Sequence, residues 1–166
     1  SYMKCLYKYP QAPYPYDDLI EGNRRRGRHE PEYELLDTGI FDQDRYFDVV
    51  VEYAKAGPED VLVRITAHNR GPDAATLHLL PTLWFRNTWS WKGGGSKPVI
   101  EAIGGTASSV VRARHTDPLF QAPPADYYLY TEAKAPWLFT DNATNHARLF
   151  GSPNAGPLVK DGTNEF

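Results

Sequence analysis

The sequence predicts an all-β fold, an antiparallel β-sandwich of the supersandwich kind with little helix, and three observations lead there. Apolar residues recur every second position in several short stretches. Clusters of Gly, Pro, Asn and Asp separate those stretches, and a helical period is almost absent. About eight strands result, which is the pattern of two packed sheets rather than of a helical bundle.

The elements follow in order. Tyr2 to Tyr9 alternates weakly and reads as a strand, and Pro10-Gln-Ala-Pro-Tyr-Pro-Tyr16 ends it, because its prolines favour an extended path without ladder hydrogen bonds. Asp17 is placed to cap a short helix through Glu21, which Gly22 and the following arginines should stop. From Tyr46 the period is clearly two: Phe47, Val49, Val51 and Tyr53 share one face, with Asp48, Val50 and Glu52 on the other. Ala56-Gly-Pro-Glu-Asp60 is a turn by composition, and Val61 to His68 alternates again before Asn69-Arg-Gly-Pro-Asp73 turns the chain. Thr76 to Phe85 is apolar on both faces and is expected inside a sheet, completing a three-stranded meander. Short strands are expected at Val99 to Ile103 and Ser108 to Arg114 around Gly104-Gly105, then at Tyr127 to Thr131 and Trp137 to Thr140. The tail from Gly151 lacks a regular period.

With 166 residues the chain has the size of one domain, so residues 1–166 are expected to form a single β-sandwich domain or part of one. The start at Ser1, directly before a strand-like stretch and without an initiator methionine or leader, suggests a piece of a longer protein. Eighteen basic and twenty-one acidic residues leave a net charge of −3, which argues against nucleic acid or an anionic membrane as a general partner. A 41% hydrophobic and 13% aromatic composition supports a ring-rich core. No stretch approaches the roughly eighteen apolar residues of a membrane span. Cys5 is the one cysteine, which excludes an internal disulfide and leaves the compartment open while being compatible with a reducing one; the cytoplasm is the expected location.

Motifs for chemistry are sparse. Asp42, Asp44 and Asp48 match three positions of a calcium loop, but Phe47 stands where its glycine belongs and Tyr53 where its terminal glutamate belongs, so that loop is rejected. His29, His68, His78, His115 and His146 lack ligand spacing, and neither a metal nor a cofactor is expected. His68 and His78 are candidates to face each other across the Pro72 turn, as a surface pair or as ligands. Arg24-Arg-Arg-Gly-Arg28 is followed at once by Glu30, Glu32, Glu34 and Asp37, which suits a self-neutralising loop better than a polyanion site. Gly-x-Ser-x-Gly is missing, and the many acids define no acid–base pair by spacing. Asn142-Ala-Thr144 is a glycosylation acceptor only if the protein is secreted.

The densest feature is Pro81-Thr-Leu-Trp-Phe-Arg-Asn-Thr-Trp-Ser-Trp91, where a strand should give way to a loop. Trp84 falls within the strand pattern, where core packing is expected. Trp89 and Trp91 lie beyond it and are open to packing or to contact, with Arg86 and Asn87 as the polar groups beside them.

Glu30-Pro-Glu-Tyr-Glu-Leu-Leu-Asp-Thr-Gly-Ile-Phe-Asp42, Asp44-Arg-Tyr-Phe-Asp48, Val51-Glu-Tyr-Ala-Lys55, Asn69-Arg-Gly-Pro72 and Leu80-Pro-Thr-Leu-Trp-Phe-Arg-Asn-Thr-Trp-Ser-Trp91 together resemble the amino-terminal region of bacterial proteins similar to glycoside hydrolase family 63. That family includes a processing α-glucosidase. The likeness runs through the whole chain, to Gly151-Ser-Pro-Asn-Ala155 and Lys160-Asp-Gly-Thr-Asn164. It implies a β-sandwich preceding an (α/α)6 barrel, and the barrel carries the acid and base of an inverting glycosidase. No catalytic residue carries over to this segment. The expected partner is therefore that barrel, met through Trp84, Arg86, Asn87, Trp89 and Trp91. The alternative is a carbohydrate-binding module in which Trp89 and Trp91 stack on an oligosaccharide while Arg86 and Asn87 address its hydroxyls. If flanking strands are missing, self-association through uncovered sheet edges is a further expectation.

Overall fold

The computed structural model describes residues 1–86, 89, 96–105, 109–115, 125–132, 135–141 and 143–160. Of the expected strand at Ser108 to Arg114 only the part from residue 109 lies within that set, the strand expected at Tyr127 to Thr131 lies wholly within it, and Asn87, Trp91 and Asn142 lie outside it. The described chain is all-β with few helices: β1 (Tyr2–Pro10), β2 (Tyr46–Gly57) and β3 (Asp60–Asn69) form one antiparallel sheet, and β4 (Val99–Ala102), β5 (Val110–His115) and β6 (Ala125–Tyr130) form another. Contacts within the chain group into two units, Ser1–Leu79 and Leu80–Phe166.

In the first unit β2 is the central strand. It pairs along its length with β1, from Tyr2 opposite Ala54 to Pro10 opposite Tyr46, and with β3, from Phe47 opposite Asn69 to Gly57 opposite Asp60. A register irregularity between Lys55 and Gly57 marks the tight β2–β3 turn. The meander is therefore real, but its third strand is β1 and not Thr76 to Phe85, which forms no strand. Pro81 has no N–H to give a ladder, the Thr82 hydroxyl donates to the Leu80 carbonyl at 3.0 Å, and Leu79, Leu80 and Leu83 stay exposed. An apolar run is compatible with an interior strand, yet only a neighbouring strand makes it one.

The segment between β1 and β2 holds α1 (Tyr16–Arg25) and a one-turn 3-10 helix (Leu35–Thr38). Helix α1 is longer than the sequence suggests, and Asp17 lies in its first turn instead of capping it. Acids in that turn and Arg24 and Arg25 in the last suit the helix dipole. Gly22 does not stop the helix, because the Tyr33 ring packs against its Cα where any Cβ would collide. Asn23 fastens the same crossing: its Nδ2 donates to the Tyr33 carbonyl and its Oδ1 accepts from the Tyr33 amide, each at 2.9 Å. Glu34 and Asp37 form a capping box on the 3-10 turn. Arg24 pairs with Glu21, and Arg26 lies over the Tyr33 ring, so two of the clustered arginines are engaged locally.

In the second unit β5 is central, flanked by β4 and β6. Alternation puts Val111, Ala113 and His115 on one face, all buried, with Val111 only 2% exposed. Trp137 to Thr140 forms no strand. Instead the Asp141 amide donates to the Leu158 carbonyl at 2.7 Å, and Ala143 and Val159 make an isolated parallel bridge. Just before the tail lies α2 (His146–Phe150), which at five residues is too short to show a helical period. Its ends are marked, since the Asn145 side chain caps the Arg148 amide at 3.1 Å and Gly151 closes it at φ 65°.

Phe47, 5% exposed, is the largest buried ring of the first unit. Phe47→Ala should lower stability to denaturant by about 3 kcal/mol, the usual cost of deleting a buried ring.

Candidate functional site

Register sorts the first sheet into two unlike faces. Lys4, Glu52 and Arg64 form one row, and Lys8, Asp48 and His68 form another on the same side. Asp48 is 6% exposed and can stay ionised there only because two cations reach it: Lys8 Nζ at 2.9 Å and Arg70 Nε at 2.6 Å. Hydrogen bonds from Lys8 and then Arg70 hold its carboxyl below the usual range. The same contact raises Lys8, which also lies over the Tyr46 ring at 4.2 Å. Four residues along β2 on the same side, Glu52 accepts from the Tyr2 hydroxyl and, through its other oxygen, from Nε and Nη2 of Arg64, and its carboxyl is lowered chiefly by the Tyr2 hydrogen bond. These are cross-strand staples. His68 sits opposite Asp48 and not opposite His78, whose segment has no regular structure, so the expected histidine pair is not formed.

The opposite face carries Met3, Cys5 and Tyr7 from β1, Val49, Val51 and Tyr53 from β2, and Val61, Val63 and Ile65 from β3. It has a covered end and an open end. Phe47 and Val49 are buried at the covered end, where a cleft of about 410 Å³ is lined by Tyr9, Pro10, Pro13, Ala75 and Thr76. At the open end Met3 is 60% exposed, Val61 and Val63 are about half exposed, and Tyr53 and the free thiol of Cys5 also face solvent. An apolar sheet face left open in this way is a candidate contact surface.

The tryptophan-rich segment belongs to the second unit. Trp84 is 80% exposed, which overturns its expected place in the core: the strand that was to bury it is not formed. Phe85, the next residue, is half-buried and meets the buried His115 edge-on at 5.9 Å. Arg86 is exposed and Trp89 is half-buried. Asn87 and Trp91 lie outside the described residues, so of the five candidates Trp84, Arg86 and Trp89 can be placed.

Two groupings escaped the sequence reading. The Lys8–Asp48–Arg70 staple joins residues far apart in the chain, and only the register of β1 against β2 reveals it. The second sheet carries Tyr128 and Tyr130, two apart on β6, with rings stacked at 6.4 Å. Alternation within Tyr127-Tyr-Leu-Tyr130 was the available signal for that pair. No cluster of three or more metal-ligating side chains occurs among the described residues. No described helix is long and apolar enough to cross a membrane.

No family model matches the chain, and no solved structure matches it. It is similar to a Saccharomyces cerevisiae protein described as "Uncharacterized protein YMR196W", at 32% identity over the whole of this chain. The chain spans about 18% of that relative's length.

Because the Asp48 carboxyl is lowered in the folded protein, its stabilising contribution is complete above the ordinary carboxylate pKa, about 4, and is lost as pH falls through the folded value. Asp48→Asn should therefore melt below the parent chain at neutral pH, and the gap should close in acid. Melting temperatures of both proteins across pH 2 to 7, roughly the span of carboxylate titration, check this.

Proposed function

We propose that this chain is a non-catalytic β-sandwich region of a glucosidase-like glycoside hydrolase, docking on and supporting an (α/α)6 catalytic barrel of the same parent protein. The observation that carries the reading is the open apolar face of the first sheet, with Met3, Tyr53, Val61 and Val63 in solvent. Covering such side chains contributes on the order of 1 kcal/mol or more apiece, so a surface of this size favours a lasting intramolecular contact. The resemblance to family 63 supplies the kind of partner, and the match to a much longer relative is in keeping with it. A sandwich is supported by the second sheet, whose Val111, Ala113 and His115 are buried on one face while Arg112 and Arg114 lie on the other, as two packed layers need. A free Cys5 thiol fits a cytoplasmic parent. Self-association through the β1 edge is the weaker alternative, since Lys4 and Lys8 on that strand discourage a second copy.

A second reading, carbohydrate binding by the tryptophan-rich segment, is favoured by one observation, the 80% exposure of Trp84.

Affinity between this chain and the separately expressed remainder of the parent tests the docking. A Met3→Glu, Val63→Glu double variant, altered only at exposed positions, should weaken binding at least tenfold, and unchanged binding would remove the apolar face from the reading. Trp84→Ala with Trp89→Ala reports on the second unit. Tryptophan fluorescence titrated with α-gluco-oligosaccharides addresses the second reading, which fails if millimolar sugar leaves the emission unchanged.

A further inference from the structure

The charged face of the second sheet carries two neighbouring exposed rings among its ion pairs. Its central features are Tyr128 and Tyr130, 49% and 70% exposed, with rings 6.4 Å apart and inclined by only 27°. In register, Tyr128 lies beside Arg112, which lies beside Glu101, while Arg114 lies between Val99 and Asp126. Both arginines are held on the sheet. Arg112 donates through Nε and Nη2 to Glu101 Oε1, and Arg114 donates to both Asp126 oxygens, at 2.8 and 3.4 Å. Two cations and two anions make this face neutral.

What can occupy it follows from those charges. A dry protein interface would strip water from four charged groups, and such desolvation commonly cancels what the ion pairs return. A nucleic acid would stack on the rings but needs uncompensated positive charge along its phosphates, and here each arginine is already matched. An uncharged, hydroxyl-rich chain meets neither obstacle. Its ring faces are apolar enough to lie on tyrosine, and its hydroxyls can both donate to the carboxylates and accept from the guanidiniums while water stays at the edges.

The geometry points to a binding platform for a linear, uncharged oligosaccharide on this sheet face, with Tyr128 and Tyr130 as stacking rings and the Arg112–Glu101 and Arg114–Asp126 pairs as hydroxyl-binding groups. Phe85 meets His115 on the other face of β5, so the platform does not include it, and the platform does not depend on docking to a barrel.

The test titrates the full chain with an α-linked and a β-linked glucose heptamer, reading saturation-transfer NMR and calorimetry, with single-stranded oligouridine as the competing probe. Saturable binding of at least one sugar is expected at high micromolar to millimolar concentration. Tyr128→Ala and Tyr130→Ala should each weaken it about tenfold, the usual scale for one stacking ring. Tyr128→Phe should retain it. Matching melting curves for the Ala and Phe variants separate lost binding from lost folding. The inference is overturned if neither sugar binds, if oligouridine binds and the sugars do not, or if Trp84→Ala abolishes binding while Tyr128→Ala spares it. Affinity for the remainder of the parent, measured on the same Tyr128→Ala variant, should not move, so loss of the platform and failure of docking read out independently.

Discussion

A carboxylate buried in the middle of a sheet must be met by positive charge, and in this protein that requirement ties three distant segments together. Asp48 lies on the central strand β2, Lys8 on β1, and Arg70 just past the end of β3. Each cation reaches it only if its own strand is in register with β2. A slip of one residue would turn Asp48 to the apolar face and leave Lys8 and Arg70 without it. The ion pairs therefore act less as a large source of stability than as a lock on register, and the apolar face exists as a continuous surface because the lock holds.

The two sheets apply one rule with different outcomes. Both alternate charged and apolar residues across a three-stranded antiparallel layer. In the second sheet the apolar side is covered along its central strand, with Val111, Ala113 and His115 enclosed, and the charged side with its paired tyrosines faces water. In the first sheet the apolar side is covered only near Phe47 and Val49. The exposed groups then differ in chemistry: aliphatic and aromatic carbon on one, rings among matched charges on the other. Apolar carbon suits a protein partner that excludes water, whereas matched charges suit a ligand that keeps water close. This contrast, more than any single residue, underlies the separate roles proposed for the two surfaces.

Strands with two-residue alternation, weak in β1 and clear in β2 and β3, were legible in the chain: they stand close to where Tyr2–Tyr9, Tyr46 onward and Val61–His68 put them, β4 lies within Val99 to Ile103, and β5 and β6 overlap Ser108–Arg114 and Tyr127–Thr131. Helix α2 could have been found from Asn145 and Gly151, since caps are local chemistry. Thr76–Phe85 and Trp137–Thr140 could not be settled in this way. Their composition suits a strand, but a strand exists only when a second one lies beside it, and partners are not written in composition. Trp84 was misplaced for that reason alone.

Local sequence thus determined which stretches extend, where turns fall and which side chains share a face, because pleat and turn conformations are set within a few residues. The tertiary structure decided which extended stretches pair, that Asp48 meets Lys8 and Arg70, that Tyr128 sits beside Arg112, and which apolar face stays open. Those depend on register and covering between segments far apart in the chain, and no local pattern encodes them.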